Sequence, residues 1–465
     1  MALNKNSFKG KQVLVIGLGD SGFAAAKFLA ERGAVVSVTE KNSGPTVLDM
    51  KTKLEKYAVR FEIGKHTKTF AQSAQIVIPS PGIDHNSAEF ALIIPGGAVI
   101  IGELELAAIF NKSTVIAVTG TNGKSTVTSL IAHILNSSGK KAIACGNIGF
   151  PFVNAAETLT EKDYAVVEVS SFQLETIESF RPHVAILLNI TEDHYERHKT
   201  FSNYVDSKFR IFQNQTKSDW AVLHSSVKEY LPKYELASNV CFYGDKEGVF
   251  IYENGKIIER SHAKNKIIAK TSEIPLLGRH NYENILSVLL ALKAVGIGAS
   301  EAVAAIKTFK ALKHRFEVVG EIDGVRFIDD SKGTNIDATK QALISLDQKA
   351  VLIAGGRDKG GNYNVIRDIV KDKVKAIVVI GEAQDKIFSS FSDIVPVIRA
   401  VNLFEAVKTA KNNSEKNDVV LLSPMCSSYD MFKDYKERGD VFRRSVQTLM
   451  AEKAAIPAGK YKGEK

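Results

Sequence analysis

A turn of sequence Gly120-Thr121-Asn122-Gly123-Lys124-Ser125-Thr126 limits what this chain can fold into more than any other stretch. Residues 114–119 read as a buried strand. Residues 125–136 read as a helix with Val127, Leu130, Ile131, Ile134 and Leu135 on one apolar stripe. Strand, glycine turn and helix in that order make a cradle for phosphate. Glycines let backbone N–H groups turn inward, the helix start adds partial positive charge, and Lys124 reaches the terminal phosphates while the Ser125 hydroxyl can ligate magnesium. Two residues separate Gly120 from Gly123, where four are usual.

The length of 465 residues gives a prior of about three domains. A hydrophobic content of 45% and a charged content of 24% are ordinary globular values. No apolar run is long enough to span a bilayer and Met1 to Gly10 carries no apolar signal region, so a cytoplasmic protein without a membrane partner is expected. Cys145, Cys241 and Cys426 lack metal or disulfide spacing and read as buried thiols. The net charge of +9 is scattered among acids rather than gathered into a stripe, which favours polyanionic small substrates over nucleic acid. Residues 371–373 and the tail 460–465 read as solvated surface.

The fold class is α/β, with an N-terminal Rossmann-like domain over 1–103, a central P-loop ATPase-like domain over 104–311 and a C-terminal Rossmann-like domain over 312–465. Residues 11–16 read as a strand, Gly17-Leu18-Gly19-Asp20-Ser21-Gly22 as a glycine turn, and Glu40 ends the next strand. This is the dinucleotide fingerprint, although the same turn serves any nucleotide diphosphate. Pro79-Ser80-Pro81-Gly82 follows another strand and can face the same ligand. In the central domain, strands finish in Glu168-Val169-Ser170-Ser171 and in Asn189-Ile190-Thr191-Glu192-Asp193-His194. Strand C-terminal ends line the ligand crevice of such sheets, so Glu168, Asp193 and His194 are expected near the phosphates as magnesium holders. His314-Arg315-Phe316-Glu317 and Asp330-Ser331-Lys332 sit at the next junction, and their cations can close over phosphates.

Together with Gly278-Arg279-His280-Asn281, these runs resemble the Mur ligases of bacterial cell-wall synthesis along the length of the chain and in the same order. The shortened glycine turn is part of that resemblance. Gly-Leu-Gly-x-Ser-Gly at residue 17, Ser170 to Glu175, and the stretch from Leu422 to Arg438-Gly439 point within the family to the branch that adds D-glutamate. The Asp-Asn-Pro-Arg run of the diaminopimelate branch is not found. The resemblance implies that an L-alanyl carboxylate attacks the γ-phosphate of ATP and that the amine of D-glutamate then takes the acyl group from phosphate.

The same resemblance implies site residues. Gly120 to Thr126 with Val127, Asn281, Asn284, Arg315 and Asp330 would bind ATP. Lys124, Glu168, His194, Lys208 and Arg315 would be catalytic, with two magnesium ions on Ser125, Glu168, His194 and a carbamylated Lys208. Read alone, the helix around Lys208 is an ordinary amphipathic one with that lysine in solvent. Gly17, Gly19, Asp20, Ser21, Glu40, Lys41, Ser80, Pro81, Gly82 and Asn147 would take UDP-N-acetylmuramoyl-L-alanine, so the glycine turn would hold a uridine diphosphate in place of a dinucleotide. Glu40 stands where aspartate is common. Lys332, Thr334, Lys359, Ser428, Tyr429 and Tyr435 would take the amino acid, Tyr435 standing where phenylalanine is frequent. A monomer is expected. The alternatives are another Mur ligase, a folylpolyglutamate-synthase-like enzyme, which would lack the Gly17 to Gly22 domain, and a non-catalytic nucleotide-binding scaffold, which would have no reason to keep all five catalytic residues.

Overall fold

Unbroken apolar runs become strands covered on both faces. They assemble into three main sheets in the computed structural model, which describes residues 3–244, 248–261 and 265–454. The tail 460–465 lies outside the described residues. The first sheet holds β1 (Gln12–Ile16), β2 (Val35–Glu40), β3 (Arg60–Ile63), β4 (Ile76–Pro79) and β5 (Val99–Ile100), all parallel, in the order 3-2-1-4-5. Strand order reverses between β1 and β4, which is where such sheets open a crevice for ligands.

The second sheet holds β6 (Thr114–Thr119), β7 (Ala142–Gly146), β8 (Tyr164–Glu168), β9 (Val184–Leu187), β10 (Trp220–His224) and β11 (Asn239–Tyr243), parallel, in the order 11-10-9-6-8-7. A small antiparallel sheet follows: β12 (Phe250–Glu253), β13 (Lys256–Glu259) and β14 (Lys266–Lys270). It was not legible beforehand, because its strands are short, half-exposed and interleaved with Lys and Glu.

The last sheet holds β15 (Glu317–Ile322), β16 (Val325–Asp329), β17 (Ala350–Gly355), β18 (Val374–Ile380), β19 (Val397–Arg399) and β20 (Val419–Leu422), in the order 15-16-20-17-18-19. Only β15 runs antiparallel. The β15–β16 hairpin closes on Asp323-Gly324, both at positive φ, a pair suited to a two-residue hairpin turn. Residues 314–317 and 329–335 therefore flank one hairpin rather than one open linker.

The chain packs as two compact units: 1–190 with 200–274 and 283–309, and 191–199 with 275–282 and 310–465. The first unit contains both the N-terminal and the central sheet. The chain passes between them through the helix Glu103–Phe110, which is a packed element and not a tether. Phe110 meets Phe28 edge-on at 4.9 Å, and the Arg32 guanidinium lies 3.4 Å from the Phe28 ring centre while pairing with Glu157 at 3.0 Å. Among the described residues, no helix is long and apolar enough to cross a membrane.

Gly22 sits where the first helix, Asp20–Glu31, crosses the glycine turn, and a Cβ there would meet the Gly17 carbonyl oxygen at 2.0 Å. Gly22→Ala is expected to cost about 1–3 kcal/mol, the scale of overpacking. The check is the midpoint of thermal unfolding, and an unshifted midpoint would contradict the close approach.

Candidate active site

At the N-terminal crevice, the Ser80 hydroxyl beyond β4 donates to the Gly17 carbonyl beyond β1 at 3.1 Å. Gly17 itself has φ +91°, and a Cβ there would meet Ser80 Oγ at 2.8 Å. Glu40, at the end of β2, is buried; its oxygens accept the Leu18 N–H and the Asn42 N–H, each at 2.7 Å. That carboxylate shapes the turn from below. Gly19, Asp20 and Gly82 are exposed, with Ser21, Ser80 and Pro81 half-buried, and Lys41 is exposed and pairs with Glu89 at 3.3 Å. Gly17, Glu40 and Ser80 thus end three neighbouring strands on one sheet edge.

In the central sheet, the loop after β6 uses φ +143° at Gly120 and +88° at Gly123, conformations that favour glycine. A Cβ on Gly123 would meet the Asn284 amide oxygen at 2.7 Å, so Asn284 lies against the loop. Helix Lys124–Ser137 starts at once, with Ser125, Thr126 and Val127 buried. Lys124 Nζ donates to the carbonyls of Gly120 at 2.9 Å and Thr121 at 2.8 Å. Lys208 Nζ donates to the same Gly120 oxygen at 2.8 Å and lies 4.5 Å from the centre of the Tyr204 ring. Lys208 is 1% exposed, which corrects the solvated reading of its helix. The apolar side of helix Phe201–Phe209 carries it inward beside Tyr204.

Glu168 ends β8 and pairs in register with Val118 of β6, which sets its carboxylate one strand away from the loop. Its Oε1 accepts from Asn147 Nδ2 at 3.0 Å. Among the described residues, Glu168 Oε2 is buried without a hydrogen-bond partner. A buried, unsatisfied carboxylate oxygen is expensive, and a cation is the natural way to satisfy it. Among the described residues, no three His, Cys, Asp or Glu side chains gather to hold a metal ion.

Two residues outside the expected set brace the loop. Asn189 Oδ1 accepts the Asn122 N–H at 2.8 Å, its Nδ2 donates to the Asn122 carbonyl at 3.1 Å, and its own carbonyl takes the Thr121 N–H at 2.8 Å. The Tyr204 hydroxyl meets Thr121 Oγ1 at 3.1 Å. Asn189 was legible as the first polar residue after a buried strand, and Tyr204 by its spacing of four from Lys208 on one helix face.

The remaining residues belong to the second unit. Arg315 lies between His314 and Phe316, both at positive φ, an arrangement whose strain concentrates at functional places. His314 Nδ1 is 2.7 Å from the buried Asp329 carboxylate. Burial pushes the Asp330 carboxyl up to about 7, with the Ser423 hydroxyl bond and the Arg315 charge opposing. Asn281 is buried and donates to the Leu277 carbonyl at 2.7 Å. His280 is held near 4 by burial, with Ser345 Oγ at 3.1 Å.

Asp193 is depressed by the charges of Lys359 and His194 against the cost of burial, and its carboxylate reaches Lys359 and Asn335 at 3.3 Å each. His194 Nε2 lies 3.6 Å from Asp193. Asp193, His194 and Lys359 share a cleft of about 230 Å³ with Lys340, Asn362 and Tyr363. Thr334, Ser428, Tyr429 and Tyr435 do not line it. They lie instead along the 331–335 and 426–435 loops, which the buried Arg438 fastens through the Ser331, Cys426 and Ser427 carbonyls. Ser428 is buried, Tyr429 is 67% exposed, and Lys332 Nζ lies 4.0 Å over the Tyr435 ring.

A parallel sheet with a glycine phosphate loop, a Rossmann-like sheet before it and a second α/β sheet after it define an α/β nucleotide-using class of protein. Three family models cover most of the chain: the MurD-like Mur ligase N-terminal domain over residues 11–102, the Mur ligase middle domain over 118–292, and the Mur ligase glutamate ligase domain over 314–426. The chain is similar to the UDP-N-acetylmuramoylalanine–D-glutamate ligases of Geotalea daltonii, 39% identical over 95% of this chain and 98% of that one, and of Acidobacterium capsulatum, 40% identical over 94% and 96%. In fold it is similar to a pseudomurein peptide ligase type C from Methanothermus fervidus, with TM-score 0.60 at 18% identity over 94% and 100% of the two chains. The UDP-N-acetylmuramate-alanine ligase of Thermotoga maritima gives 0.60 and 18% over 94% and 99%. This chain belongs to the Mur ligase family.

Gly123→Ala combines a left-handed backbone with contact on Asn284. It is expected to weaken ADP binding at least about tenfold, or about 1.4 kcal/mol. Calorimetric titration checks this, and unchanged affinity would remove the loop from the site.

Proposed function

We propose that this chain is an ATP-dependent, ADP-forming ligase that joins D-glutamate to UDP-N-acetylmuramoyl-L-alanine in peptidoglycan precursor synthesis. Relatives bearing that activity in their names align with 94–95% of the chain. The observation that carries the reading within this molecule is the buried, unsatisfied Glu168 Oε2 one strand from a glycine loop whose Gly120 carbonyl is held by Lys124 and Lys208.

The reaction runs in two steps. An oxygen of the L-alanyl carboxylate attacks the γ-phosphorus and the bond to ADP breaks, giving an acyl phosphate. The D-glutamate amine then attacks the acyl carbon, loses a proton and expels phosphate. A carboxylate approaching a triphosphate is repelled, so cations must already surround the meeting point.

Lys124 and Arg315 supply fixed charge. Magnesium, when bound, neutralises and orients the phosphates. Ser125 and Glu168 would hold one ion, and His194 with a carbamylated Lys208 the other. The buried Ser125 hydroxyl and the unsatisfied Glu168 oxygen fit the first of these roles. Carbamylation needs a neutral amine, and burial disfavours charged ones. Gly120 to Val127, Asn281, Asn284, Arg315 and Asp330 take ATP.

Gly17, Gly19, Asp20, Ser21, Lys41, Ser80, Pro81, Gly82 and Asn147 take the uridine nucleotide, with Glu40 fixing the turn. Lys332, Thr334, Lys359, Ser428, Tyr429 and Tyr435 take D-glutamate. The working division is 1–103 for the uridine nucleotide, 104–311 for ATP and 312–465 for the amino acid, in a cytoplasmic monomer.

A phosphate-release assay with ATP, magnesium and UDP-N-acetylmuramoyl-L-alanine is expected to turn over with D-glutamate and not with L-glutamate, L-lysine or diaminopimelate. Lys208→Ala is expected to lose at least about 100-fold in kcat, the scale of removing a preorganised charge from a reacting centre. Turnover with a different amino acid would move the chain to another branch of the family, and a wild-type rate for Lys208→Ala would end that residue's role.

A further inference from the structure

Glu103 opens the helix Glu103–Phe110 and is 3% exposed. Its Oε1 accepts the N–H of Val153, the residue after Phe152, at 2.7 Å. Those two residues start the helix Phe152–Thr158, whose own N-cap, Pro151, offers no side-chain cap. A helix start needs acceptors for its first N–H groups, and here a carboxylate from another segment supplies one. The arrangement is costly. Burial pushes Glu103 up to about 7, and among the described residues its Oε2 has no hydrogen-bond partner. A serine at position 151 would cap the helix without burying a carboxylate.

What the costly cap fixes is the loop that runs into the helix. The Gly146 N–H donates to the Phe150 carbonyl at 2.7 Å, and the Asn147 N–H donates to the Glu168 carbonyl at 2.9 Å. Asn147 Nδ2 then holds Glu168 Oε1 at 3.0 Å. Contacts thus run without a break from Glu103 through the helix start to Asn147 and on to Glu168. Two residues along, Glu105 caps a different loop, accepting the N–H groups of Glu178, Ser179 and Phe180 at 2.9, 2.8 and 3.0 Å. It provides an internal control.

We infer that Glu103 is a positioning residue: by anchoring the start of helix Phe152–Thr158 it sets where Asn147 holds the Glu168 carboxylate for a divalent cation. This rests on the ligase reading for what Glu168 holds.

Manganese, with ADP present, is the probe, its binding followed by the electron paramagnetic resonance of the free ion. Glu103→Ala, which removes the acceptor from the helix start, is expected to weaken manganese binding about tenfold, the low end of what loss of support behind a metal ligand costs. Asn147→Ala should do the same, and the double variant should bind no more weakly than Asn147→Ala alone. Glu105→Gln should lower the thermal midpoint and leave manganese affinity as in wild type. If Glu103→Ala folds poorly, Glu103→Asp keeps the charge, shortens the reach and should show the same weakening. Wild-type affinity in the Glu103 variants, or losses that multiply in the double variant, would overturn the inference. Wild-type protein that binds no manganese with ADP would instead overturn the ligase reading.

Discussion

One carbonyl oxygen organises the centre of this protein. Gly120 accepts hydrogen bonds from both Lys124 and Lys208, at 2.9 and 2.8 Å, so two lysine side-chain nitrogens are held together at the C-terminal edge of a parallel sheet. The backbone turn that aims this carbonyl requires positive φ at Gly120, and the bracing of Asn122 by Asn189 keeps it there. Fixed positive charge of the kind Lys124 carries there is what a triphosphate and a second anion need before they can meet. The neighbouring strand contributes the opposite charge, because the pairing of β8 with β6 holds Glu168 one strand from the loop.

The elements around that centre serve its geometry. Glu103 and Glu105, two residues apart on the helix between the first two sheets, reach into separate loops and fix both. The N-terminal and central sheets belong to one packed unit, and Phe110 of the same helix packs against the buried Phe28 beside Arg32. In the second unit, the buried Arg438 ties two polar loops together through backbone carbonyls, a role that an always-charged, many-donor side chain fills well.

Much of this was legible in the amino-acid order. Buried parallel strands announce themselves as unbroken apolar runs, and polar residues that follow them mark the crevice, so Gly120 to Thr126, Glu168 and the Gly17 turn could be read directly. Residues whose role depends on distant partners could not. Lys208 looks solvated on its own helix and is buried because that helix packs its inner side into the protein, where the lysine reaches the Gly120 carbonyl. Glu103 reads as a domain boundary, since nothing local shows that its carboxylate caps a helix fifty residues on. Glu40 reads as a ligand-facing acid, while its oxygens hold the Leu18 and Asn42 backbones. The small antiparallel sheet was missed because short half-exposed strands leave no strong period.

The central claim is that a substrate carboxylate oxygen is carried onto the γ-phosphate at this sheet edge. The most direct measurement labels the L-alanyl carboxylate of the uridine nucleotide with oxygen-18 and follows the released phosphate by mass spectrometry during turnover with D-glutamate. The account predicts one labelled oxygen in each phosphate formed from doubly labelled carboxylate. Phosphate released without label would contradict it, because the carboxylate would then never have bonded to phosphorus.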